Sequence, residues 1–126
     1  MNLLNNNISD SESKIIAESS NKLRIELISS LGLNDSMQII NLSNELEKVY
    51  GKNALITNGN IKKYFNRNTY PFVARLKNKI IGFIIGVPLE FFSTESWSHY
   101  DTNLGKRNTI YTYIFLVGHP YRKNLG

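Results

Sequence analysis

The sequence predicts an α+β (α/β) domain, a mostly antiparallel sheet with helices packed on it. Three stretches carry that expectation. Residues 71–87 hold two apolar runs joined by the polar Lys77-Asn78-Lys79, the pattern of a β-hairpin. Residues 111–117 are uncharged and rich in aromatic and β-branched side chains, as a strand covered on both faces would be. Residues 37–49 place Met37, Ile40, Leu42, Leu46 and Val49 at helical spacing up to Gly51.

Taken in order, residues 1–21 are polar and rich in Ser and Asn, with one apolar doublet at Ile15-Ile16. They read as a flexible leader with room for a helical turn. Residues 22–126 then form one domain. Leu23, Ile25 and Leu27 alternate with Arg24 and Glu26, a period of two that favours a strand, with a helix over 14–31 as the alternative. Asp35 or Ser36 is placed to cap the helix that follows. Asn58-Gly59-Asn60 opens a short second helix, Ile61 to Phe65, with Lys62 and Lys63 outward. After the hairpin comes a long connection, 88–108, whose Trp97, His99 and Tyr100 indicate that part of it packs. The strand at 111–117 closes the series, and Pro120, lacking an N–H, takes the chain out of the sheet. The expected order is β-α-α-β-β-β.

Composition narrows the function classes. With 41% hydrophobic and 11% aromatic residues, the chain has enough apolar material for a core and is not of a disordered type. No apolar run approaches the roughly 20 residues of a membrane span, and the N-terminus has no signal-peptide pattern, so a cytoplasmic location is expected. The absence of cysteine excludes disulfides, thiol nucleophiles and thiolate metal sites, and no His/Asp/Glu spacing suggests a metal. The net charge of +5 is spread over small clusters: Lys62-Lys63 with Arg67, Lys77 with Lys79, Lys106-Arg107 and Arg122-Lys123. No single arm or helix concentrates them, which argues against a nucleic-acid partner and for a solvated surface.

The last cluster adjoins a glycine-ended loop, Arg122-Lys123-Asn124-Leu125-Gly126, directly after a strand. Backbone amides and cations so placed suit an anion. These residues resemble the GNAT acetyltransferase superfamily. Its acetyl-coenzyme A loop follows the fourth strand and reads Gln or Arg, two variable residues, Gly, one variable residue, then Gly or Ala. Lys123 stands where the family has Arg or Gln, and Pro120 precedes Gly126 by the six positions the family often keeps. Phe72-Val73-Ala74-Arg75-Leu76-Lys77-Asn78-Lys79-Ile80-Ile81-Gly82-Phe83 is similar to the phrase common to the family's second and third strands.

The resemblance implies a partial GNAT fold and transfer of an acetyl group from acetyl-coenzyme A to a primary amine, on a small molecule or a peptide. It implies main-chain contacts to the pantetheine arm from Phe115, Leu116, Val117 and Gly118. The pyrophosphate would be held by Arg122, Lys123, Asn124, Leu125 and Gly126. For catalysis the candidates are Tyr113, on the last strand, and Glu90, at the end of the third; Tyr111, Glu95, His99, Asp101 and His119 are lesser ones. The final pair of the loop pattern is not in the sequence, so the chain is expected to be the N-terminal portion of a longer protein, inactive alone and binding coenzyme A weakly. Self-association stays open. Two other readings compete: a noncatalytic binding module derived from the same fold, and a small basic nucleic-acid binder.

Overall fold

The computed structural model describes residues 10–20, 22–45, 47 and 56–118. Five strands follow one another across a single antiparallel sheet: β1 (Glu12–Glu18), β2 (Leu23–Ser30), β3 (Tyr70–Leu76), β4 (Lys79–Pro88) and β5 (Ile110–Val117). Helix α1 (Leu33–Glu45) and the one-turn α2 (Ile61–Tyr64) lie between β2 and β3. Two 3-10 turns, Leu89–Phe92 and Ser96–Tyr100, occupy the connection from β4 to β5. The α+β class and the mostly antiparallel sheet expected from the sequence are therefore present.

One strand differs from expectation. Glu12–Glu18 pairs with β2 where a leader holding a helical turn was expected. All seven of its residues are exposed, so no apolar face marks it in the sequence. Its place comes from the ladder to β2 and from hydroxyl groups that reach inward: Ser11 Oγ donates to Asp35 Oδ2 (2.6 Å) and Ser13 Oγ to Glu26 Oε1 (2.8 Å).

The alternation in β2 is real, but its buried members are Glu26 and Ile28, while Leu23, Ile25 and Leu27 are half-buried on the other face. Glu26 can be inside because Arg75 meets it there. The Arg75 guanidinium, fully buried, donates from Nε to Glu26 Oε2 (2.9 Å) and from Nη1 and Nη2 to Asp35 Oδ1 and Oδ2 (3.0 and 2.5 Å). Burial opposes the charge on Arg75, but its bonds and charge attraction to Asp35 and Glu26 prevail and raise its pKa.

Asp35 is thus committed to the interior and does not cap α1. The cap comes from Asp10, whose carboxylate accepts from the Asn34 N–H (2.9 Å) and the Asp35 N–H (3.3 Å). Gly32 makes room for it, since a Cβ there would overlap the Asp10 carboxyl group. The helix accordingly begins at Leu33, and its buried stripe is Asp35, Ile39, Leu42 and Ser43. Met37, expected on that stripe, is 57% exposed. Leu46, Val49 and Gly51 lie outside the described residues.

The core fills the space between α1, α2 and one face of the sheet: Ile28, Ile39, Leu42, Ile56, Ile61, Tyr64, Phe65, Val73, Ile80, Phe83, Ile85 and Val87. The β3-β4 hairpin turns on Lys77 and Asn78, both at positive φ (52° and 71°), the two-residue geometry whose twist suits the flanking strands. Among the described residues no helix is long and apolar enough to cross a membrane.

Candidate functional site

Two features at the β4-β5 end of the sheet bear on function. The first is β5 itself. Ile85 pairs with Ile114, but the next residue of β4, Gly86, pairs with Thr112, so Tyr113 is an extra residue and β5 carries a bulge there. On the far side of the bulge the Gly118 N–H donates to Ile81 O (2.7 Å). Bonded and non-bonded pairs alternate in an antiparallel ladder, so Leu116 and Ile114 hold β4 while the backbone groups of Phe115 and Val117 turn away from it. β5 is the last strand of the described sheet, and the Phe115 side chain is 66% exposed.

The bulge side chain is half-buried. Tyr113 stacks on Tyr64, ring centroids 4.4 Å apart and planes within 13°. Burial first, then the hydrogen bond with Tyr113, pushes the Tyr64 phenol far above its ordinary pKa. The Lys63 ammonium lies over the rings of Tyr64 and Phe91 (5.6 and 5.3 Å).

The second feature is a cleft of about 640 Å³ at the other end of β5, lined by Arg67, Tyr70, Glu90, Phe91, Arg107 and Ile110 among others. Its walls come from three connections. The turn before β3 is fixed by Thr69, whose Oγ1 donates to Tyr64 O (2.5 Å), and by Asn66, whose Oδ1 accepts from the Asn68 N–H (2.8 Å); Arg67 projects between them. Glu90 sits in the first 3-10 turn. Its Oε2 accepts from the Gly105 N–H (2.8 Å), which ties the long connection back on itself. Its Oε1 is shielded from solvent and makes no hydrogen bond with any described residue. An oxygen in that state is a standing demand for a donor.

The rest of the connection packs through aromatic rings, as its composition indicated. Phe92, Trp97 and Tyr111 meet edge to face or tilted, with centroids 5.2–6.1 Å apart. Tyr111 Oη donates to Asp101 Oδ2 (3.1 Å), and Asp101 Oδ1 accepts from the Asn103 N–H (2.9 Å). The Asn103 bond, with a smaller contribution from Tyr111, draws the Asp101 carboxyl below the ordinary aspartate value, while the bond to Asp101 raises the Tyr111 phenol. His99 donates from Nε2 to the Ser93 carbonyl (2.9 Å). Tyr111, His99 and Asp101 are therefore engaged in holding the loop.

Of the two leading catalytic candidates, Glu90 lines the cleft and Tyr113 does not; Tyr113 lies beneath, against Tyr64. Phe115, Leu116, Val117 and Gly118 follow the bulge in sequence. Arg122, Lys123, Asn124, Leu125 and Gly126, with His119 and Pro120, lie outside the described residues. The cleft also contains Arg67 and Arg107, which sequence reasoning treated as surface charge. Only their place across a fold from Glu90 distinguishes them, and neither has a local motif.

No family model, curated protein or solved structure matches this chain.

Proposed function

We propose that this chain is a GNAT-type N-acetyltransferase, moving acetyl from acetyl-coenzyme A to a primary amine. The observation that carries the reading is the bulge at Tyr113, followed at once by backbone groups of Phe115 that face away from β4. A pantetheine arm carries amides of its own and pairs with such an edge as a strand would. The element order among the described residues, with α1 and α2 between β2 and β3 and then three antiparallel strands, supports the same reading.

In this account the acyl donor lies along the β5 edge with its thioester toward the bulge, and the amine enters through the cleft. Glu90 accepts a proton from the ammonium group, giving a neutral amine. The nitrogen lone pair attacks the thioester carbonyl carbon, forming the C–N bond as the C–S bond breaks. Coenzyme A leaves as thiolate and takes up the remaining amine proton. The thioester is already activated, so the protein's task is alignment and proton removal. Lys123 and the amides to Gly126 would hold the pyrophosphate, by the resemblance.

A second reading has one observation in its favour. Leu23, Ile25, Leu27, Phe72, Leu76 and Ile84 form a half-exposed apolar face opposite α1, which a noncatalytic binding module would use. Saturation-transfer NMR with acetyl-coenzyme A separates the two. The transferase predicts saturation of the pantetheine protons that unlabelled coenzyme A competes away. No transfer at millimolar ligand would refute it and leave the binding module.

A further inference from the structure

The cleft has a charge pattern that selects its ligand. Glu90 presents one carboxylate, with Oε1 unpartnered and out of solvent, at one wall. Arg67 and Arg107 bring two guanidinium groups to the same cleft, and Tyr70, Phe91 and Ile110 supply apolar surface. With these three charged side chains the lining carries a net positive charge. A ligand bearing only cations would satisfy Glu90 and meet repulsion from both arginines. One bearing only anions would leave the Glu90 oxygen unmet.

Both arginines are available for a ligand. Arg67 donates from Nη2 to Glu12 Oε2 (3.0 Å), but the two side chains are 75% and 69% exposed, and an exposed pair of this kind contributes little. Exchanging Glu12 for a ligand anion is therefore inexpensive. Arg107 is held at φ 56°, a conformation unfavourable for a residue with a Cβ, directly after the turn that delivers the Gly105 N–H to Glu90. The same turn thus positions the carboxylate and one of the guanidiniums.

We infer that the cleft binds a small molecule with a primary amine at one end and a phosphate or carboxylate at the other, the amine on Glu90 and the anion on Arg67 and Arg107. A bidentate fork matches both anions, and the net positive lining favours the more highly charged phosphate. Polyamines are disfavoured. As an acceptor class for acetyl transfer the inference rests on the transferase reading; as a binding site it does not.

The test is an amide and arginine Nε NMR titration of the isotope-labelled full chain with phosphoethanolamine, β-alanine and putrescine. The Gly105 amide reports on Glu90, and the arginine resonances report on the anion. Phosphoethanolamine and β-alanine should shift both in a saturable way, with putrescine about tenfold weaker or more, the value of one charge-assisted contact. Arg107→Gln and Arg67→Gln, both at exposed positions, should each weaken phosphoethanolamine about tenfold and leave the spectrum otherwise folded. Glu90→Gln should weaken all three amines. Equal affinity for putrescine, indifference to both arginine changes, or an unmoved Gly105 amide would overturn the assignment. Acetyl-coenzyme A is titrated in parallel. If it leaves the β5 amides unmoved while phosphoethanolamine binds, the transferase reading fails and the cleft assignment stands.

Discussion

Arg75 is the residue whose loss should cost most. It is fully buried, and it donates to two carboxylates that are 2% (Glu26) and 0% (Asp35) exposed. Arg75→Met preserves much of the volume and removes the charge, leaving both carboxylates in the interior without their guanidinium partner, beside Ser11, Ser13 and the partly exposed Arg24. Removing one partner of a buried ion pair costs about 3–5 kcal/mol. Against a total stability of about 5–15 kcal/mol for a domain, that is about a fifth or more. Urea unfolding followed by far-ultraviolet circular dichroism should show the midpoint fall by about 2–3 M, at a slope of about 1.5 kcal/mol per M. Replacing all three residues with methionine should recover most of that loss, because the desolvation cost of the charges is removed with them. A fall of less than about 0.5 M for Arg75→Met, the range of an exposed pair, would refute the reasoning. So would a triple variant less stable than the single one.

Two further outcomes follow from the structure. Asp10→Ala removes the acceptor for the Asn34 and Asp35 amides and should cost about 1 kcal/mol in the same urea assay, with Asp10→Asn recovering part of it. Tyr64, whose phenol is raised by burial, stabilises the fold fully below the ordinary tyrosine pKa of about 10, and that contribution is lost as pH rises from there toward the folded value. Thermal melts should therefore be flat in this respect up to about pH 10 and decline above it; Tyr64→Phe should show a shallower decline, and an unchanged slope would contradict the assignment.

The sequence made the fold class legible because its strongest signals are local. The hairpin at 71–87 and the strand at 111–117 follow from polar punctuation and from β-branched and aromatic runs, which need no knowledge of partners. What it concealed depends on partners distant along the chain. Glu26 reads as the polar half of an amphipathic strand until Arg75, 49 residues on, is placed against it. Met37 takes a core position in any local reading of α1, because the true phase is set by Asp35 turning inward to Arg75. The strand at Glu12–Glu18 has no apolar face to announce it and is held by the ladder and by two serines. At the site, Glu90 was identifiable from its position at the end of an apolar strand. Arg67 and Arg107 were not, since each lies in an irregular turn and gains meaning only from the cleft they share. The surroundings of Tyr113 were hidden for a related reason: a bulge is a property of pairing register, and the Tyr113 ring stacks on Tyr64.

The acetyl-donor claim is tested most directly by an amide-resolved NMR titration with acetyl-coenzyme A. The account predicts saturable shifts at Phe115, Val117 and Gly118, flanking the bulge, with smaller changes on β1 and β2 at the opposite edge of the sheet. Shifts confined to scattered lysine-rich loops, or none along β5 at millimolar ligand, would contradict it.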